Sequence, residues 1–177
     1  CSPKHTRRCP PRMFRCRNYF LDGCVGLTAL DVSPLTHVTA IGRDCLGNCT
    51  ALMSLDFTLL LHVIAMGDHF LCGCGGLTAL SLPVLLQVGD HFLRECDRLS
   101  TLDLTPLAQL TAVGNDFLGS CRNLTSLDLT PLARVTSIGD DFLRECGRLV
   151  SLDLSPLVNV TRVGKGFLCQ CYSMPTL

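Results

Sequence analysis

The chain has 177 residues, of which 47% are hydrophobic, 6% aromatic and 17% charged, with no Trp. This composition supports an aliphatic core and excludes compositional disorder, which needs low hydrophobicity and high net charge. A formal net charge of zero excludes a chain that binds nucleic acid along its whole length.

The first segment, 1–19, stands apart as basic and irregular or degenerate. Lys4, Arg7, Arg8, Arg12, Arg15 and Arg17 all precede the first acid, leaving nine Lys and Arg against fifteen Asp and Glu in the remainder. Cys9-Pro10-Pro11 with scattered Arg suits a polyanion or membrane-surface contact or a linker. No aromatics are interleaved, so nucleic-acid binding gains nothing. The chain opens on Cys1 and shows no export signal. No transmembrane segment is expected, because no apolar run reaches ~18–20 residues. A fragment of a longer surface protein fits these ends.

From residue 20 onward the sequence repeats. Cys24, Cys49, Cys74, Cys96, Cys121, Cys146 and Cys171 recur every 25 residues, once after 22. The units are 25–49, 50–74, 75–96, 97–121, 122–146 and 147–171, with a partial seventh at 172–177. The first carries Cys45 where later units carry Phe70, Phe92, Phe117, Phe142 and Phe167. The second has Leu59 where others have Pro, and the third has lost three residues near Pro83. Unit 122–146 shows the type. Leu124, Leu127 and Leu129 follow L-x-x-L-x-L, which predicts a strand with Leu127 and Leu129 on one face. Pro131 ends that strand, having no amide for a ladder. Leu132, Val135 and Ile138 point inward along an extended return, and Gly139 permits a turn. Asp140 or Asp141 then caps a predicted short helix on which Phe142, Leu143 and Cys146 face the core. Coils stacked ~4.8 Å apart would make a parallel sheet and internal columns of Leu, Phe and Cys.

These residues carry a family resemblance. The L-x-x-L-x-L strand and the I-G-x-x-F-L-x-x-C-x-x-L stretch from Ile138 to Leu149 resemble a leucine-rich repeat, closest to the BspA-like (Treponema-type) class, over 20–177. The resemblance implies an α/β solenoid: a curved rod of about six 25-residue units, strands on one face and short helices on the other. It further implies a cell-surface or secreted recognition or adhesion protein of bacteria or protists, without catalytic residues. Leu59, the shortened third unit and an Asp-rich strand depart from the family pattern.

The polar residues are weighed against that frame. No nucleophile elbow, phosphate loop or H-E-x-x-H is present, so no enzyme is expected. Between the buried Leu positions runs a column of Asp31, Asp56, Ser81, Asp103, Asp128 and Asp153, flanked in the type unit by Ser126 and Thr130. Like charges ~5 Å apart repel by about 1 kcal/mol in water. The column therefore needs cations, hydrogen bonds from Ser and Thr, or a basic partner. Such a broad, shallow face suits a protein or glycan ligand; a solvated acidic face inherited by duplication is the plainer alternative. His37 aligns with His62 and His69 with His91, and stacked imidazoles with Cys72 would suit zinc. Duplication alone produces such pairs, no four-ligand set appears, and neither metal nor cofactor is expected. The thirteen cysteines are an odd number, and the column cysteines read as buried thiols. Asn48, Asn123 and Asn159 stand in N-x-T sequons, which matter only in a secretory pathway. The alternatives are an intracellular, cytoplasmic scaffold with reduced thiols, or a decayed copy. Uncapped ends would favour self-association.

Overall fold

The computed structural model describes residues 15–174. Lys4, Arg7, Arg8, Arg12, Cys1 and Cys9, and the end of the partial seventh unit, lie outside the described residues. Two of the three sheets form where the sequence leads one to expect only an extended return. Strands β1 (Arg15–Cys16), β2 (Ala40–Ile41), β4 (Ala65–Met66) and β6 (Gln87–Val88) pair in parallel, each with the same positions of the next unit. A second ladder joins β7 (Ala112–Val113), β8 (Ser137–Ile138) and β9 (Arg162–Val163). β1 lies inside the segment set apart as basic, and its Cys16 carbonyl accepts the Gly42 amide at 3.0 Å.

The L-x-x-L-x-L segments alternate as expected: Leu127 and Leu129 are buried between exposed Ser126, Asp128 and Thr130. A ladder forms there only between β3 (Ser54–Asp56) and β5 (Ala79–Ser81). Elsewhere single bonds link the coils, such as the Thr125 amide to the Ser100 carbonyl at 3.1 Å. Pro131 does more than stop a strand. Pro34, Pro106, Pro131 and Pro156 each sit in the first turn of a three-residue 3₁₀ helix: Ser33–Leu35, Thr105–Leu107, Thr130–Leu132 and Ser155–Leu157. The fixed φ of proline suits that place and its missing amide costs nothing there. Leu59 and the shortened third unit remove this feature from units two and three.

The short helix expected over 140–146 is not formed. The segment is a run of turns in which Asp141, Leu143 and Glu145 have φ of 58, 54 and 59°. Alternate amides turn outward to neighbouring coils, while those of Arg144 and Cys146 close tight turns on the Asp141 and Leu143 carbonyls. Asp141 donates to the Lys165 carbonyl at 2.6 Å, Leu143 to Phe117 at 3.1 Å and Glu145 to Cys169 at 2.8 Å. The adjacent pair Phe142 and Leu143 is fully buried, which a helix places about 100° apart on its surface and this path accommodates. Short helices therefore follow the strand, and among the described residues none forms over the segment that precedes each column cysteine. Nor does Asp140 cap a helix. Its Oδ1 accepts the Lys165 amide of the next coil at 2.8 Å. Asn115 serves Asp140 and Asp90 serves Asn115 in the same way, each at 2.8 Å.

The core is one cluster. Through it runs a file of phenylalanines, Phe70, Phe92, Phe117, Phe142 and Phe167, with successive centroids 5.3–5.7 Å apart. Cys45 interrupts the file, and Phe57 closes that end by a tilted contact with Phe70 at 5.7 Å. Beside it the cysteine column is bonded through sulfur. Cys121 Sγ donates to the Leu93 carbonyl at 3.2 Å, Cys146 to Leu118 at 3.2 Å and Cys171 to Leu143 at 3.1 Å. Cys49, Cys74 and Cys96 repeat the bond. Cys49, Cys74, Cys96, Cys121, Cys146 and Cys171 of the column are free thiols. Burial pushes the Cys146 thiol up to about 12 and raises Cys96 and Cys121 as well. A thiol kept neutral by the fold stabilises it fully below the ordinary thiol value of 9.0, and that contribution fades as pH rises through the folded value. Native-state alkylation at pH 8 should label exposed Cys169 and spare Cys96, Cys121 and Cys146, all of which react once unfolded. Mass spectrometry showing equal labelling of both classes would contradict this packing.

Candidate recognition face

The Asp column is built by the 3₁₀ turn beside it. Asp31, Asp103, Asp128 and Asp153 stand two residues before Ser33, Thr105, Thr130 and Ser155, and each Oδ1 accepts that amide at 2.8–2.9 Å. Asp56 does the same for Thr58 and also accepts its hydroxyl at 2.7 Å. Asp153 Oδ2 accepts the Ser155 hydroxyl at 2.9 Å. These Asx turns satisfy amides at the start of the turn and fix each carboxylate's direction. Hydrogen bonds from Thr105 and Thr130 hold Asp103 and Asp128 below the usual carboxylate range, first through the hydroxyl and then the amide. For Asp153 the amide of Ser155 leads. This contribution to stability is present above the ordinary carboxylate value of 3.8 and is lost as pH falls through the lower folded value. The requirement for hydrogen bonds from Ser and Thr is thus met locally. Ser81 leaves one gap in the row, and Ser126 and Thr130 are exposed on either side of Asp128.

The three sequon asparagines differ. Asn123 Nδ2 donates to the Asp97 carbonyl at 2.6 Å and is half-buried. Asn159 Nδ2 donates to the Ala133 carbonyl at 2.8 Å but is exposed. Asn48 is exposed, 3.4 Å from Asp22 Oδ1.

Two further features extend beyond what the sequence indicates, which for the second is only the aligned pair His69 and His91. A groove of about 960 Å³ runs along the first ladder, over Ala40, Ala65, Gln87 and Ala112. It crosses the place where β6 and β7 fail to pair, below the three-residue loss at Pro83. The other is the file Asp44, His69, His91, Asp116, Asp141, one residue per coil. Among the described residues no three His, Cys, Asp or Glu side chains converge as metal ligands, and no helix is long and apolar enough to cross a membrane.

Comparison with known proteins agrees with this architecture. The chain superposes on a leucine-rich cell surface protein of Faecalibacterium prausnitzii with TM-score 0.63 and 22% identity, over 80% of this chain and 36% of that one. It superposes on a leucine-rich repeat protein of Bacteroides ovatus with TM-score 0.68 and 20% identity, over 84% and 40%. For the leucine-rich repeat protein of Treponema pallidum the TM-score is 0.55 at 22% identity, over 78% and 72%. At such identities the likeness is one of fold, and the chain spans well under half of the first two proteins. No curated protein matches it. The sequence pattern described as BspA type Leucine rich repeat region matches in six copies, over residues 7–96 and 39–175. The chain belongs to the BspA-type leucine-rich-repeat family.

Proposed function

We propose that the chain is a non-catalytic module of a cell-surface or secreted protein that binds a protein or glycan through its strand face. Asp31, Asp56, Asp103, Asp128 and Asp153 form the contact row, with Ser126 and Thr130 flanking Asp128 along its own coil. The observation that carries this is the row itself: exposed carboxylates held in one direction by the fold, so that little ordering is lost on binding a basic ligand. The combined change Asp103→Asn, Asp128→Asn and Asp153→Asn keeps a carbonyl oxygen for each Asx turn while removing three charges. Melting should be nearly unchanged, and binding to immobilised oligolysine peptides or to the best ligand of a glycan array should fall at least tenfold. Unchanged affinity would exclude the row. If the chain meets N-glycosylation machinery, Asn159 and Asn48 are the acceptors and Asn123 is not, because Asn123 is half-buried beside the core Leu124 whereas the other two are exposed. Deglycosylation that shifts only the Asn123 peptide would reverse this order. The free thiol column favours a second reading, an intracellular scaffold.

A further inference from the structure

One position of the repeat is occupied in successive coils by Asp44, His69, His91, Asp116 and Asp141. The His69 and His91 rings lie parallel, with centroids 4.4 Å apart and planes 8° apart. Each is backed by a carboxylate on its outer side: His69 Nδ1 is 3.5 Å from Asp44 Oδ1, and His91 Nδ1 is 3.1 Å from Asp116 Oδ2. Both Nδ1 atoms are buried and have no hydrogen-bond partner, so each meets its carboxylate as a close charge and not as a hydrogen bond. The side chains nevertheless retain 35% and 26% of their exposure, carried by ring atoms other than the buried Nδ1. A carboxylate this close to Nδ1 favours the proton on that nitrogen electrostatically and leaves Nε2 as the lone-pair donor, as a nearby carboxylate does for metal-ligating histidines.

We propose that His69 and His91 form a two-imidazole chelate for a divalent ion of the copper–nickel–zinc class, water filling the remaining positions. Imidazole nitrogen suits these ions, and bonds of ~2.0–2.1 Å from each Nε2 require only that the exposed ring edges tilt toward one another. Asp44 and Asp116 act behind the rings, while Arg43, 3.1 Å from Asp44, and Arg94, 3.4 Å from Asp116, balance their charge. The other aligned pair, His37 and His62, is exposed and shows no ring contact, so it serves as an internal control.

The test uses the full chain with Ni²⁺ as probe, after accessible thiols are blocked with iodoacetamide under native conditions. Calorimetry should show one saturable ion, and NMR should show paramagnetic broadening of the His69 and His91 ring signals before those of His37 and His62. His69→Asn and His91→Asn, a residue tolerated at positive φ, should each weaken Ni²⁺ at least tenfold. Their melting in chelator should match the parent, and only the parent should be stabilised by Ni²⁺. Asp116→Asn should weaken the ion about tenfold, as outer-shell changes do. Absence of saturation, or equal affinity in parent and both histidine variants, would overturn the site. If the variants fail to fold, the order of broadening in the parent decides alone.

Discussion

Phe117→Ala is expected to lower unfolding free energy by about 3–5 kcal/mol, the usual cost of emptying a buried phenylalanine site. Phe117 has no exposed surface and stands mid-file, 5.6 Å from Phe92 and 5.7 Å from Phe142. Neither neighbour can collapse into the space, because each is pinned by its own coil's bonds to the next. Leu118 and Leu143, for example, donate to the carbonyls of Phe92 and Phe117 at 3.0 and 3.1 Å. A domain carries only about 5–15 kcal/mol in all, so the variant should unfold near ambient temperature or split into two melting steps. In a stack of nearest-neighbour contacts the fourth unit is where the array divides. Phe167→Ala should cost less, since that ring is only half-buried in the last full coil. Chemical denaturation measures both. A loss below about 1 kcal/mol at Phe117 would mean the file contributes little.

Gly139→Ala should also be damaging, at about 1–3 kcal/mol from overpacking. Added there, a Cβ would lie 2.6 Å from the Gly114 carbonyl carbon and 2.7 Å from the Asn115 amide nitrogen. Both are backbone atoms of the adjacent coil and cannot swing away. Separation of the coils would strain the Gly139 amide to Val113 carbonyl bond at 3.0 Å and the Asp140 amide to Asn115 Oδ1 bond at 2.8 Å. Gly147 supplies the contrast. A Cβ there meets nothing within 4 Å, so Gly147→Ala should leave the melting midpoint nearly unchanged. Equal effects at the two positions would show that the coils do not touch at Gly139.

The repeat period, the burial of Leu127 and Leu129 and the cysteine column were legible in the sequence, because each leaves a recurring letter at a fixed offset. The path of residues 140–146 was not. Asp, Phe, Leu and Cys at those offsets fit an amphipathic helix as readily as a chain of turns, and only bonds to Phe117, Lys165 and Cys169 of other coils decide between them. Asp128 was legible as an exposed position in a column. Its bond to the Thr130 amide was not, since that depends on the 3₁₀ turn that Pro131 helps to set. The loss near Pro83 could be counted, but its consequence lies in the next coil, where β7 fails to continue the ladder of β6. His69 and His91 were visible as an aligned pair, whereas Asp44 and Asp116 are brought to them only by the stacking of four coils.

The most direct test of the surface reading is brief protease treatment of intact cells of the source organism, with mass spectrometry of the released peptides and the culture medium. Peptides from residues 97–171 in the shaved fraction or the medium before lysis are the predicted result. Their appearance only after lysis would contradict a cell-surface or secreted module and leave the intracellular scaffold.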